Sequence, residues 1–317
     1  MVILGVTFTE AGVVGLLVAT VQFGTLLYLA ALGETISEKA GVLNLGVEGM
    51  MATGAAMGFI VGVETGSPWL GLLGGAVAGA IVSLVHAAAA VGLGADQVVS
   101  GLALTFLGLG FADFIGDGYT DDERRARFAD VEIPGLDDIP WVGEVVFRHS
   151  PVTYLAVVIG TVAWFVLNRT AVGLGLRAVG ETASTADAAG HSVVRLRFAA
   201  VATGGALAGV SGAYLTTYLV GSWSQNLTAG RGWIAVALVI FGAWRVGRVA
   251  IGALLFGLTL ALKSRLTLFD IEISGQFVDM LPFLLTIAVL VVISFRARNR
   301  PSPAPAAIGI AYRREER

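Results

Sequence analysis

Two clusters of polar residues interrupt an otherwise apolar chain, and they suit passage across a barrier better than bond-making. The first holds Glu34, Glu38, Lys39, Asn44 and Glu48 and runs into Gly49. The second holds Ser222, Ser224, Gln225, Asn226, Gly230 and Arg231 and runs into Gly232. Matching Gly49 to Gly232 sets Glu48 opposite Arg231. Ionisable groups at membrane depth are expensive, so they pair or face a water-filled cavity. Neighbouring glycines let a helix break there, leaving backbone groups that only a cavity or protein contacts can satisfy. The expectation is that Asn44, Glu48 and Gly49 in one broken segment, and Asn226, Gly230, Arg231 and Gly232 in the other, line a translocation path. Glu48 and Arg231 would pair or face each other across it. A second reading makes both residues topology anchors at the membrane interface.

Other chemistry finds little support. The chain has no cysteine, and His86, His149 and His191 are too scattered for a metal cluster. Neither a GxxxxGK[ST] phosphate loop nor an HExxH pair occurs, and GVSG around Ser211 lies in an Ala/Gly packing stretch rather than a nucleophile elbow. No enzyme activity and no cofactor are expected. A net charge of −3 without a basic stripe gives no reason to expect nucleic acid. Asp96, Gln97, Gln276 and Asp279 read as cap and turn residues. His86 reads as a packed or hydrogen-bonded core residue.

Long apolar runs must position these groups. With 56% apolar and 14% charged residues and a mean hydropathy of +0.82, the 317 residues describe a polytopic membrane protein. Its 43 glycines suit close helix contacts in lipid. Runs near 11–32, 46–63, 70–93, 98–116, 151–168, 198–220, 232–244, 249–268 and 280–296 are spans or near-spans, a full span needing ~20 residues. The run at 232–244 is short, so it is a broken helix or one that begins earlier. The first run reads as a retained span, since no basic n-region or cleavage site precedes it.

Arginines set the orientation: RARNR after Phe295, Arg169, Arg177, Arg195 and Arg197 in the centre, and Arg245 and Arg248 in a short turn. The positive-inside rule puts all three groups, and the C-terminus, in the cytoplasm and the N-terminus outside. The acid-rich stretch 117–150 then falls outside, as a solvated loop or as a docking surface. RPSPAPAAIG near the C-terminus reads as unstructured.

The centre, GLGLRAVGETASTADAAGHSVVRLR at 173–197, is a charged island between apolar halves. Its 181–189 portion is built of small helix formers, Gly190 suits a C′ position, and Ser192 suits the cap of the following helix. This reads as a surface helix offered to a water-soluble partner, or as a plain connector.

An internal repeat also emerges. NLGVEGMMATGAAMG at 44–58 is similar to NLTAGRGWIAVALVIFG at 226–242, and each is followed by a glycine-containing span (69–87 and 249–265). Polar joints, ADQVVSG and EISGQFVD, then lead into a further span. In the orientation above the two sets run in opposite directions, which makes an inverted repeat with the path at its interface. Chance similarity among Gly/Ala-rich spans is the competing explanation.

GETISEKAGVLNLGVEGMMATGA, ADQVVSGLAL, GLGLRAVGE, AGVSGAYL, TAGRGWIAVALVIFGAW, IGALLFG and MLPFLLT, in that order from about Leu26 onward, resemble the inner-membrane permeases of ATP-binding cassette importers. The branch they are most similar to handles nucleosides and simple sugars and is related to the ribose and branched-chain amino-acid permeases. The resemblance implies an all-α polytopic permease of about 8–10 transmembrane helices, in two inverted-repeat halves with broken helices and a cytoplasmic coupling helix. One permease domain would cover 1–297, with halves at about 1–168 and 198–297 around a loop at 169–197, and a cytoplasmic tail at 298–317. It also implies partners: a second, homologous permease, two ATPase subunits on the cytoplasmic side, and a binding protein of the basic membrane lipoprotein type outside. The family's coupling segment matches at Gly180, Glu181, Ala186 and Gly190, and departs at Thr182 and Ser184, where Asn and Pro are usual. Arg177 and Glu181 would add charged contacts beside the ATPase groove, and Ala189 would complete the helix. A purine-type nucleoside is the first substrate choice on resemblance, before a pentose or hexose. The reading from another class is an autonomous secondary transporter or channel for a small polar solute.

Overall fold

The computed structural model describes residues 2–3, 6–7, 10–120, 122, 126–265, 275–297 and 303–313. Among them are twelve α-helices: α1 (Glu10–Lys39), α2 (Val47–Thr65), α3 (Pro68–Ala87), α4 (Gln97–Gly116), α5 (Val142–Val146), α6 (Pro151–Arg169), α7 (Ala171–Glu181), α8 (Ala183–Ala188), α9 (Val193–Tyr214), α10 (Arg231–Phe241), α11 (Val246–Arg265) and α12 (Gly275–Ala297). Among the described residues, strands are confined to two small antiparallel pairings, β1 (Val2–Ile3) with β2 (Val6–Thr7) and β3 (Val131–Glu132) with β4 (Arg148–His149). The chain is nearly all-α and polytopic. Six helices are long and apolar enough to cross a membrane, namely α1, α2, α3, α4, α6 and α9 with their extensions. The apolar parts of the remaining three, Arg231–Phe241, Val246–Leu262 and Met280–Val291, are shorter. All nine coincide with the expected runs. The expected joint EISGQFVD and the arginine cluster RARNR lie partly outside the described residues.

Helix boundaries follow local chemistry. Ser67 and Ser150 accept the amides of Leu70 and Thr153, each with a proline in the first turn, while Asp96 and Thr170 cap α4 and α7. Asp96 is thus a cap, as its position suggests. At the other end, α1 stops at Gly41 (φ 81°), where the amides of Gly41 and Val42 bond the carbonyls of Glu38 and Ser37. That is a Schellman stop, and it needs a left-handed residue that glycine supplies without strain.

The core is a set of close helix crossings. α9 lies on α3 so tightly that a Cβ at Gly79 would sit 2.2 Å from the Gly205 carbonyl oxygen. α1 lies on α11 in the same manner, a Cβ at Gly257 falling 2.6 Å from the Gly24 amide nitrogen. Small residues let the backbones approach where lipid supplies no hydrophobic drive for helix association. α3 and α9 both end in a π-helical turn, Ala88–Gly92 and Leu215–Leu219.

Residues 126–150 are more ordered than a run of solvated turns. Phe128 donates its amide to the Thr217 carbonyl and meets Trp69 edge-on, Arg127 bonds the Tyr218 carbonyl, and Tyr218 donates to Asp130. The tail also departs from expectation. Residues 303–313 are not loose: Ala307 donates to the Gly180 carbonyl (2.8 Å) and is buried, and Tyr312 packs with Val179 and Ala183. Composition suggested disorder, but the Pro305 turn presents an amide to an unmet carbonyl near the end of α7, and tertiary contact decides.

Valine at Gly79 should force α3 and α9 apart and destabilise the fold by about 1–3 kcal/mol, the usual penalty for overpacking. Valine at Gly110, where a Cβ would meet nothing within 4 Å, should leave thermal unfolding in detergent unchanged.

Candidate functional site

Between α1 and α2 the chain leaves helix for residues 40–46, and this irregular backbone is buried inside the bundle. Each polar group so exposed needs a partner. Glu34 of α1 accepts the Asn44 amide (2.9 Å), and Gln97 of α4 accepts the Leu43 amide (2.7 Å). His86 of α3 donates through Nε2 to the Leu43 carbonyl (3.0 Å), its Nδ1 accepting from Ser100 (2.9 Å). Thr105 of α4 donates to the Leu45 carbonyl and Arg197 of α9 to the Ala40 carbonyl. Asn44 closes the turn by accepting the Gly46 amide (2.9 Å). His86 is therefore the hydrogen-bonded core residue expected, whereas Gln97 is a ligand of the broken backbone rather than a cap. Arg197, read from the sequence as one of the central arginines that set the orientation, is 1% exposed.

Glu48 opens α2 and is 2% exposed. Its Oε1 accepts from the Thr228 hydroxyl (2.6 Å) and the Gly230 amide (2.8 Å), and its Oε2 from the Gly232 amide (2.6 Å). The carboxylate sits between the N-termini of α2 and α10, where both helix dipoles favour an anion and free N–H groups await an acceptor. Gly230 (φ 81°) turns the chain into α10, and a Cβ at Gly232 would lie 2.5 Å from Glu48 Cα. α10 is thus a short helix preceded by irregular chain, the first of the two possibilities left open for 232–244.

Glu48 grips the backbone on both sides of Arg231, whose own Nη1 turns back to the carbonyls of Leu227 (2.8 Å) and Thr228 (3.1 Å). Gly49 lies where α2 crosses α4, with a Cβ there meeting the Leu104 carbonyl at 2.5 Å. Asn226 stands apart, exposed, its amide directed at Asp113 (3.5 Å). Asn44, Glu48, Gly49 and Gly232 are all buried within this chain, while Ser224, Gln225 and Asn226 form its exposed polar margin. One turn below Glu34, Glu38 accepts from the indole of Trp244, fastening the turn after α10 to the end of α1.

The central segment forms two helices where one was expected. α7 ends at Glu181, Thr182 is extended, and α8 follows, closed by a second Schellman stop: Gly190 (φ 89°) bonds Asp187 and His191 bonds Ala186. Ser192 occupies the cap position of α9 without a side-chain bond. Gly180 and Ala186 face inward, a Cβ at Gly180 meeting the Lys39 carbonyl at 2.1 Å. Glu181, Ala189 and Gly190 face outward, and Arg177 is half-buried. Sequence reasoning missed Thr105 and Thr228 and gave Gln97 and Arg197 other roles; only Thr105, a single polar side chain inside the apolar run LALTFLGL, carried a faint signal.

Replacing Glu48 by Ala should destabilise the chain by about 3–5 kcal/mol, because the Thr228 hydroxyl and the Gly230 and Gly232 amides lose the acceptor they donate to. Glu48→Gln keeps one acceptor oxygen and should lose about 1.5–3 kcal/mol. Thermal and denaturant unfolding in detergent would read both.

The chain matches the family described as branched-chain amino acid transport system / permease component over residues 16–290. It is 42% identical to the putative glucose ABC transporter permease TsgC13 of Haloferax volcanii, over 95% of this chain and 98% of that one. It is 37% identical to the guanosine ABC transporter permease NupQ of Bacillus subtilis, over 86% and 89% of the two chains. With the nucleoside ABC transporter permease NupC of Lactococcus lactis the identity is 34%, over 84% and 88%. Weaker similarity, 25%, reaches a second permease of each of the first two organisms, TsgB13 and NupP. No solved structure matches. Membrane-crossing helices interrupted before α2 and before α10 agree with these relatives: the chain belongs to the branched-chain amino acid transport system permease family and is a transport subunit of the ABC type.

Proposed function

We propose that this chain forms half of the translocation path of an ATP-driven importer for a nucleoside or a simple sugar, purine nucleoside being the first choice. The relatives named for guanosine, nucleosides and glucose support that substrate range. A second, homologous permease completes the path, a reading supported by the similarity of this chain to both TsgC13 and TsgB13 and to both NupQ and NupP. Ser224, Gln225 and Asn226 are the polar, exposed margin that such a partner would face. Asn44, Glu48, Gly49, Gly230, Arg231 and Gly232 hold that margin in place from behind. A single permease domain spans 1–297, in two halves around 169–197. Support for an inverted repeat comes from the exchange of packing partners: α1 lies on α11 as α9 lies on α3, and the first turns of the matched helices α2 and α10 meet at the Glu48 carboxylate.

The observation that carries the coupling role is the build of α7 and α8. Their inner faces are locked by Gly180 against α1 and by Ala186 against Val179 and Val193. Their outer face presents Ser184, Thr185, Ala188, Ala189 and Gly190 to solvent. A small rigid handle continuous with α6 and α9 converts the closing of a docked ATPase pair into a tilt of those spans. Arg177 and Glu181 flank it. This end, with the C-terminal segment, faces the cytoplasm, and a binding protein delivers substrate at the other. The membrane carboxylates support ATP rather than an ion gradient as the driver, since Glu34, Glu38 and Glu48 are each engaged by backbone or indole donors.

Ala189→Arg places bulk on the outer face without touching the core. In the complex reconstituted with partner permease, ATPase and binding protein, hydrolysis stimulated by loaded binding protein should fall about tenfold or more, as for a lost interface anchor. Melting of the permease itself should not change. Uptake by the chain alone, driven by an ion gradient and indifferent to ATP, would overturn the reading.

A further inference from the structure

Lys39, Arg177, Arg245 and Arg248 surround one cavity of about 590 Å³, where α1 and α6 end and α11 begins. Among the described residues no carboxylate forms an ion pair with any of the four. Glu181 is close enough to act on Lys39, but its own Oε2 is directed at the Ala306 amide. Four like charges around a void call for an anion from elsewhere.

A second, apolar cavity of about 280 Å³ lies between α6 and α11, floored by Tyr28 and lined by Val157, Gly160 and Ala250. Trp164, Val246 and Gly247 line both cavities, so the groove leads straight into the basic basin. Val157 and Trp164 stand 64% and 46% exposed on the outside of the bundle, where the surroundings are lipid. A basic basin joined to an apolar furrow, with a tryptophan at the junction, is the outline of a phospholipid.

We propose that this compound site binds a phospholipid with an anionic headgroup, its phosphate among Lys39, Arg177, Arg245 and Arg248 and an acyl chain between α6 and α11. The proposal rests on α6 and α11 facing lipid and on nothing about the ATPase. Charge alone would suit a free phosphate or an acidic side chain of a docked protein equally well; the adjoining groove is what selects a lipid.

The test uses the full chain in phosphatidylcholine vesicles containing phosphatidylglycerol brominated on its acyl chains, and reads tryptophan quenching against brominated phosphatidylcholine. The wild type should prefer the anionic lipid. Arg245→Gln with Arg248→Gln should weaken that preference roughly thirtyfold, from the usual contribution of two basic groups near anionic lipid. Gly247→Leu, at a position where a Cβ meets nothing within 4 Å, should block the groove and reduce quenching by both lipids. The proposal is overturned if both variants keep the wild-type preference. It is equally overturned if inorganic phosphate abolishes the preference while Gly247→Leu has no effect, which marks a soluble-anion site. Absence of any preference in the wild type, together with loss of ATPase assembly in the arginine variant, would make the basin a protein contact instead. Since lipid binding is read without ATP, a failed transport assay would leave this result standing.

Discussion

A non-helical backbone buried inside a helix bundle has no bulk water to turn to, and that constraint governs this chain. Every N–H and C=O left bare costs several kcal/mol in hydrocarbon. Residues 40–46 meet the constraint by drawing partners from α1, α3, α4 and α9: Glu34, His86, Gln97, Thr105 and Arg197. The break therefore acts as a hub. Four helices cannot shift relative to one another without stripping bonds from it, which ties α9 of the second half to α1, α3 and α4 of the first around an irregular centre.

The second break is held from the first half. Glu48, one turn beyond the hub, supplies the acceptor for the amides that open α10, and Glu38 holds the indole that follows its last turn. α10 is thus gripped at both ends by acidic residues of α1 and α2. A helix of eleven residues is too short to be stable on its own. Held this way, it can present Ser224, Gln225 and Asn226 at a fixed place. Motion that reaches α1 through its contact with Gly180 has a direct mechanical line to both breaks.

Most of the helices were legible because their signal is local and one-dimensional: apolar runs of the right length, serine–proline starts, glycine stops. Gly190 was identifiable as a C′ residue since the left-handed conformation there is a property of the turn itself. Glu48 lies beside the backbone of Arg231, and its carboxylate accepts from the Thr228 hydroxyl and from the amides of Gly230 and Gly232. The carboxylate is met by main-chain amides, which no alignment of side chains displays. Arg197 misled for the same reason, because its partners are carbonyls of Ala40 and Ile310. Thr182 and the tail were opaque too: the break between α7 and α8, and the docking of 303–313 on α7, are settled by the shape of distant neighbours.

The bonds of Arg197 also impose an order on biosynthesis. The Ala40 carbonyl is made 157 residues before Arg197, and the Ile310 carbonyl 113 residues after it. At the usual ribosomal pace of roughly 5–20 residues per second, the first break waits on the order of ten seconds or more before its last partner exists. Through that interval α1 and α2 stand in the membrane with an unfinished hub. The nascent chain is then dependent on whatever shelters such a site, and a product that stops short of Ile310 carries a half-bonded buried arginine by which it can be told from a complete one.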